Sequence, residues 1–490
     1  IGGLAAAIAL KDKLNYNDFD MYEKAHDVGG TWRENVYPGC ACDVPSHWYS
    51  LSTDWNPEWS RQYSSQPEIL KYLQNVAKRR ELAQKIKFGY KLVHGAWDDL
   101  LKHYVLLFEV SDRDGNVLRE EEVIAKVVFA AMGGLHVPAF PDIPGYKSFH
   151  GDVWHAAQWR HDVELKGKRV AIIGNGCSGA QIVPAISEDP SVEVVNFCRT
   201  PSWFFPRVSR HPPWPFQWMF SFLPFAAALY RFWIYFTSDV RYFVWSNHGR
   251  WLRRLVQGVA RKYIRSKAPK HLHDKLIPKY DFGCKRIIVD PGYLSSLNRP
   301  NVQTEWDGIE CITPEGIKTK SGKLHELDVI VSATGFDLGA TAPPLVGRKH
   351  SVREYFEAHG GPTAYRGTTI PGFPNMFIVL GPNVASGHGS AIFVMECQVN
   401  YALQLVKPIL SGETEAVEVT EDATDKYNAV IQSHLKDTAW ASCFSYYNQQ
   451  GGKNVAMYPG SLTYFWTQMR RPIWSDYIMT RVAMNGKKTD

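Results

Sequence analysis

KRVAIIGNGCSGAQIVPAI, Lys168 to Ile186, is the stretch whose reading decides the fold. A β-branched run ends at Gly174, two more glycines follow at Gly176 and Gly179, and an apolar stretch of helical character continues from there. In a strand–turn–helix unit each glycine has its own task. Gly174 permits the tight turn, Gly176 lets backbone approach a pyrophosphate, and Gly179 lets helix and strand pack closely. The helix start, with Ser178 in its first turn, offers unpaired N–H groups and a partial positive charge to phosphate oxygens. The spacing predicts a Rossmann-like dinucleotide-binding domain.

The strand that follows, VEVVNFCRT, ends in Arg199 and Thr200, where an NAD-binding unit would place an acidic residue for the ribose hydroxyls. A cation and a hydroxyl at that position favour a 2′-phosphate, hence NADPH. The chain opens on IGGLAAAIAL, the tail of a second glycine fingerprint with Gly3 as its third glycine. DFDMYEK then gives a short strand ending in Glu23, the expected partner of a ribose diol. A sheet lacking its first strand would leave neighbouring backbone unpaired, so residues ahead of Ile1 are expected to supply that strand and the first two glycines. Two dinucleotide sites in one chain imply hydride transfer from NADPH to a flavin, most simply FAD.

Outward from these two sites, the chain reads as an α/β protein with a discontinuous first domain. Residues 1–140 form its first part, with a β-meander from KFGYKLV, YVLLFEV and NVLREEEVIAKVVFAAMGG turning at Asp112 to Asn116. The Pro-rich LHVPAFPDIPG marks a boundary near residue 140. Residues 141–325 form the second dinucleotide unit, with a helical insertion at about 212–280, and residues 326–490 return to the first domain. LDVIVSATGFD, Leu327 to Asp337, is the buried strand and turn at that return.

Composition supports this frame. With 490 residues, 45% apolar and 21% charged, the chain is a folded protein of two or three domains, and its charge of +6 is dispersed, without a nucleic-acid footprint. Eight cysteines without C-x-x-C pairs read as reduced thiols of a cytoplasmic protein, and no metal-ligand spacing is present. The apolar Trp214 to Phe236 is interrupted by Pro215, Gln217, Pro224 and Arg231, so two buried or amphipathic helices broken at Pro224 are expected, not a transmembrane span. No membrane contact is expected; the flanking Arg207, Arg210, Arg241 and Arg250 leave contact with anionic headgroups as the lesser alternative.

Phe149-x-Gly151-x-x-x-His155-x-x-x-Trp159, directly ahead of the second glycine loop, resembles the fingerprint of type I Baeyer–Villiger monooxygenases, a branch of the class B flavin monooxygenases. The remnant of the first glycine loop, GGTW, YPGCACDVPSHWYS, SATGFD and FPNMFIVLGP match that family's pattern in order, so the resemblance spans nearly the whole chain. Arg160 departs from it, standing where the family usually has Pro or Asp.

The resemblance implies an FAD domain, an NADP domain and a helical insertion. It implies NADPH- and O₂-dependent conversion of small ketones to esters or lactones, through a C4a-peroxyflavin and a tetrahedral (Criegee) intermediate. Arg286 in DFGCKRIIVD matches the active-site arginine, and Asp43 matches the acid that orients it. Gly3, Glu23, Gly30, Thr31, Trp32, Asp43, Tyr49 and Ser390 fall on FAD-binding positions. Gly174, Gly176, Ser178, Gly179, Arg199, Thr200, Lys285 and Arg286 fall on NADP-binding positions. His155 is implied to couple domain rotation to cofactor handling. Two other readings stand beside this one: an N- or S-oxygenase using the same cofactors, and a non-catalytic flavoprotein docking through Trp214 to Phe236.

Overall fold

The computed structural model describes residues 1–207, 214–339, 342–448 and 452–481. Arg210, the start of the expected insertion and the last residues of the third segment lie outside that set.

The glycine-loop unit is built on a five-stranded, all-parallel sheet in the order Val302–Glu305, Glu193–Phe197, Arg169–Ile173, Val329–Ser332, Asp152–His155. Its central strands carry Val170, Ala171, Ile172, Val329, Ile330 and Val331 at no measurable exposure. Continuous β-branched runs of this kind suit a sheet covered on both faces. The helix Cys177–Ile186 follows the central strand directly. The strand Val329–Ser332, placed by the sequence reading in the third segment, belongs to this sheet. It pairs with both Arg169–Ile173 and Asp152–His155, so the chain leaves the second unit after Ser332.

The first unit assembles from both ends of the chain. The helix Gly2–Leu14 lies against the long helix Ala391–Leu410. Met21–Glu23 pairs in parallel with Ile86–Phe88, and Val128–Ala130 with Met376–Ile378. The expected meander forms from Tyr90–Asp98, His103–Ser111 and Val117–Ala125, with Leu345–Val346 added at its edge. At its turn the Asp112 carboxylate accepts from the N–H groups of Asp114 and Asn116.

Two connections join the units, and they are hydrogen-bonded to each other: Ala139 N–H donates to Gly335 O at 2.9 Å and Asp337 N–H to Val137 O at 3.0 Å.

The insertion rises from a two-strand base, Phe204–Phe205 beside Ile288–Val289. Its helices are Trp214–Phe222, Pro224–Val240 and Arg250–Lys267. Pro224 opens the second helix, where its missing N–H costs nothing. The outer face of that helix is apolar and open to solvent, which corrects the expectation of a covered or polar face. Among the described residues no helix is long and apolar enough to cross a membrane.

The cysteine reading is also corrected. Cys284 and Cys443, 159 residues apart, form a disulfide, while Cys40, Cys42, Cys177, Cys198, Cys311 and Cys397 are free. Their distance in sequence hid the pairing, which depends on the C-terminal segment folding back over the insertion's base.

Candidate active site

Asp43 sits on the loop that follows the first unit's short helix Thr31–Glu34. That loop is clamped to the helix Cys177–Ile186 of the other unit. Tyr37 Oη donates to Gln181 Oε1 at 2.9 Å, and Gln181 Nε2 donates to Ala41 O at 2.9 Å. Gly39 is required there, since a Cβ would stand 2.5 Å from Gln181 O, and its φ is +79°. Arg286 lies just before the strand Ile288–Val289, whose Ile288 N–H donates to Trp203 O at 2.9 Å. The insertion's base therefore fixes where the guanidinium starts.

The two side chains meet across the units. Arg286 donates through Nε at 2.8 Å and Nη2 at 2.6 Å, both to Asp43 Oδ2. The side chains remain 26% and 30% exposed, so the pair faces an opening and is not sealed in the core. The Asp43 charge raises Arg286 well above the ordinary arginine range, against the opposing effect of burial. The guanidinium is held cationic with its plane fixed from one side. Tyr446 and Tyr447 lie close enough to feel its charge, and burial raises both phenols.

The glycine loop has the local geometry that those tasks require. Gly174 has φ +110° and no room for a Cβ, which would lie 2.6 Å from Ala333 O. A Cβ on Gly179 would lie 2.2 Å from Gly174 O, whereas one on Gly176 would meet nothing within 4 Å. The open side at Gly176 is the cradle a pyrophosphate needs. Ser178 Oγ donates to Tyr37 Oη at 3.3 Å, and Asn175 Nδ2 to Thr200 O at 3.0 Å. Lys285 lies over the Tyr280 ring at 5.3 Å. Burial, reinforced by the neighbouring Arg199 charge, pushes its ammonium down. Two neighbouring cations of this kind fit a phosphate.

On the flavin side, Glu23 ends its strand and accepts from Ala25 N–H at 3.0 Å. Gly30 adopts φ +53° ahead of Thr31, and the buried Trp32 donates through Nε1 to Tyr49 Oη at 3.0 Å. The close helix–strand approach at the chain's start falls on Gly2, whose Cβ would meet Val379 and Ala131 at 3.0 and 3.2 Å. Gly3, by contrast, has only an ordinary contact with Met21. Ser390 begins the twenty-residue helix Ala391–Leu410, is wholly buried, and its Oγ has no partner among the described residues. An orphaned buried hydroxyl at a long helix's N-terminus fits a bound polar group.

Of the fingerprint residues, His155 touches both connections, while Phe149 and Gly151 pack within the second unit. Phe149 is buried, and a Cβ on Gly151 would lie 2.4 Å from Asp328 O. His155 is 1% exposed and packs on Phe140 and Phe336, one from each connection, at 5.4 and 6.0 Å. Its Nδ1 accepts from Ala157 N–H, its Nε2 is buried without a partner among the described residues, and desolvation lowers its pKa. Trp159 packs edge-on against Trp154. Arg160 pairs with Asp152 at 2.7 Å and Asp162 at 2.6 Å, which accounts for its presence there.

Sequence reasoning missed Trp245 and His388. The Trp245 indole lies between Gly283 and Gly387, donates to Gly283 O at 3.2 Å, and packs on His388 at 5.6 Å. Burial pushes His388 down to about 4, so it is neutral, and neither ring nitrogen has a partner among the described residues. The glycines flanking Cys284 and His388 were the only signal.

Known proteins share this fold. The model of the flavin-binding monooxygenase-like family matches residues 3–231. A Baeyer–Villiger monooxygenase of Pseudomonas aeruginosa is 36% identical over 98% of this chain and 90% of its own length. One from Streptomyces coelicolor is 36% identical over 98% and 91%. The closed crystal structure of cyclohexanone monooxygenase superposes with TM-score 0.83 at 26% identity, over 98% of this chain and 97% of the other. A Rhodococcus cyclohexanone monooxygenase bound to NADP⁺ gives the same figures. By sequence along nearly its whole length, and by a fold in which two dinucleotide units close over a paired arginine, this chain belongs to the Baeyer–Villiger monooxygenases among the flavin-binding monooxygenases.

Proposed function

We propose that the chain holds FAD and NADPH and uses O₂ to convert small ketones to esters or lactones. The first unit, residues 1–140 with the segment after Ser332, would hold FAD through Gly3, Glu23, Gly30, Thr31, Trp32, Asp43, Tyr49 and Ser390. The second would hold NADPH through Gly174, Gly176, Ser178, Gly179, Arg199, Thr200, Lys285 and Arg286. The flavin, once reduced by NADPH, supplies activated oxygen.

The protein's own part is electrostatic and steric. Arg286 keeps a permanent positive charge and planar donors at the opening, where negative charge on an attacked carbonyl oxygen needs stabilising. Asp43 uses one oxygen for both Arg286 bonds and so restricts the guanidinium's rotation without covering its far edge. The Tyr446–Tyr447 pair, within reach of the Arg286 charge, brings aromatic surface to this region. The relatives' shared name favours ketone oxidation over amine or sulfide oxygenation.

The Arg286–Asp43 pair, joined over 243 residues of sequence, carries this reading. At saturating NADPH, Arg286→Ala should retain flavin reduction and lose ester formation by on the order of 100-fold or more. Stopped-flow absorbance and product analysis with a ketone panel measure both. Undiminished ester formation in that variant removes Arg286 from the reaction.

A further inference from the structure

The helix Pro224–Val240 is amphipathic in the reverse of the usual sense. Its outward side chains are Phe225, Leu229, Phe232, Trp233, Phe236 and Val240, with Phe225 75% and Trp233 60% exposed. At about 100° per residue these positions fall within one stripe about 100° wide. The buried side carries Ala227, Arg231, Ile234 and Ser238.

Arg231 locks this orientation. Its guanidinium donates to the carbonyls of His47 and Ser50 and lies over the rings of Trp48 and Trp55 at 5.7 and 5.2 Å. Rolling the helix to hide its aromatic stripe would strip a buried cation of these partners. The stripe continues toward the preceding helix through Phe222 and Leu223, also exposed. An apolar surface of this extent on a soluble face marks an interaction site.

Charge selects the partner. From Trp218 to His273 the chain has ten Lys and Arg residues, eight of them exposed and two, Arg231 and Arg253, buried, and one carboxylate, Asp239. That carboxylate is already engaged by Leu462 N–H and Thr463 Oγ1. On the helix Arg250–Lys267 the exposed Trp251, Leu255 and Val259 recur every fourth residue, and Arg254, Arg261, Lys262 and Arg265 are exposed along the same helix. A second copy brought onto this face by a two-fold axis would set these cations against one another. An anionic lipid surface satisfies both features, taking the aromatic stripe into the headgroup–acyl boundary and the cations onto phosphates.

We propose that the insertion docks this protein on anionic membrane surfaces, lying in the interface without crossing it. Docking through a face formed by folded helices needs no turnover, so it is tested apart from the ketone reaction. FAD-loaded protein is sedimented with vesicles of phosphatidylcholine alone and of equal parts phosphatidylcholine and phosphatidylserine, at low and high salt. Binding is expected with the anionic vesicles, weakened by salt. It should fall about tenfold or more in Phe232→Ser/Trp233→Ser/Phe236→Ser, and also in Arg254→Gln/Lys262→Gln, while both variants keep the parent's flavin spectrum and melting temperature. Absence of sedimentation with anionic vesicles overturns the proposal. So does equal binding by the serine variant, or a concentration-dependent dimer in analytical ultracentrifugation that this variant abolishes.

Discussion

At the scale of single residues, the proposed preference for NADPH turns on Arg199 and Lys285. Arg199 follows the strand Glu193–Phe197, Lys285 precedes Ile288–Val289, and they lie close enough for the Arg199 charge to depress Lys285. Such an arrangement is unfavourable until an anion enters, and a 2′-phosphate is the anion that distinguishes NADPH from NADH. Arg199→Ala and Lys285→Ala should each raise KM for NADPH about tenfold or more, with little change for NADH. Steady-state kinetics with both nucleotides measures this, and equal losses with the two would contradict the assignment. Asp43 and Arg286 were legible individually only as a loop aspartate and a Lys-Arg pair. Family resemblance joined them, because local sequence carries no information about a contact spanning 243 residues.

At the scale of elements, the glycine loop was legible in full because its constraints are local. Turn, close approach and open cradle all fall within six residues, and each is set by whether a Cβ fits. Two alanine substitutions separate these tasks. Gly179→Ala should destabilise the second unit by roughly 2 kcal/mol or more, since the new Cβ meets backbone at 2.2 Å. Gly176→Ala should leave stability unchanged and weaken NADPH binding, because that side is open to a ligand. Thermal unfolding and nucleotide titration of both variants check this contrast. The helix Pro224–Val240 shows where pattern reading stops. Its period and its break at Pro224 follow from sequence, but an apolar stripe looks the same whether it faces core or solvent. Arg231 decides the matter through partners on a loop about 180 residues away. Likewise, a short strand with three apolar residues such as Val329–Ser332 suits either unit's sheet, and only the assembled pairing assigns it.

For the whole molecule, the relation between the two units rests on the paired connections and the ring wedged against them. His155 packs on Phe140 from one connection and Phe336 from the other, so removing the imidazole loosens both at once. His155→Ala should shift kcat and KM for NADPH together, several-fold, while the flavin remains bound. A change confined to binding of one cofactor would argue against a coupling role. The division into two cofactor units was readable because each half repeats a local fingerprint, whereas the Cys284–Cys443 link was not, since it arises only once the chain's end has returned over the insertion. The side-by-side connections have a mechanical consequence. Two strands stitched together behave as the spine of a book: they permit the covers to swing about one line and resist twist or sliding. The Arg286–Asp43 pair is then a clasp between the two covers.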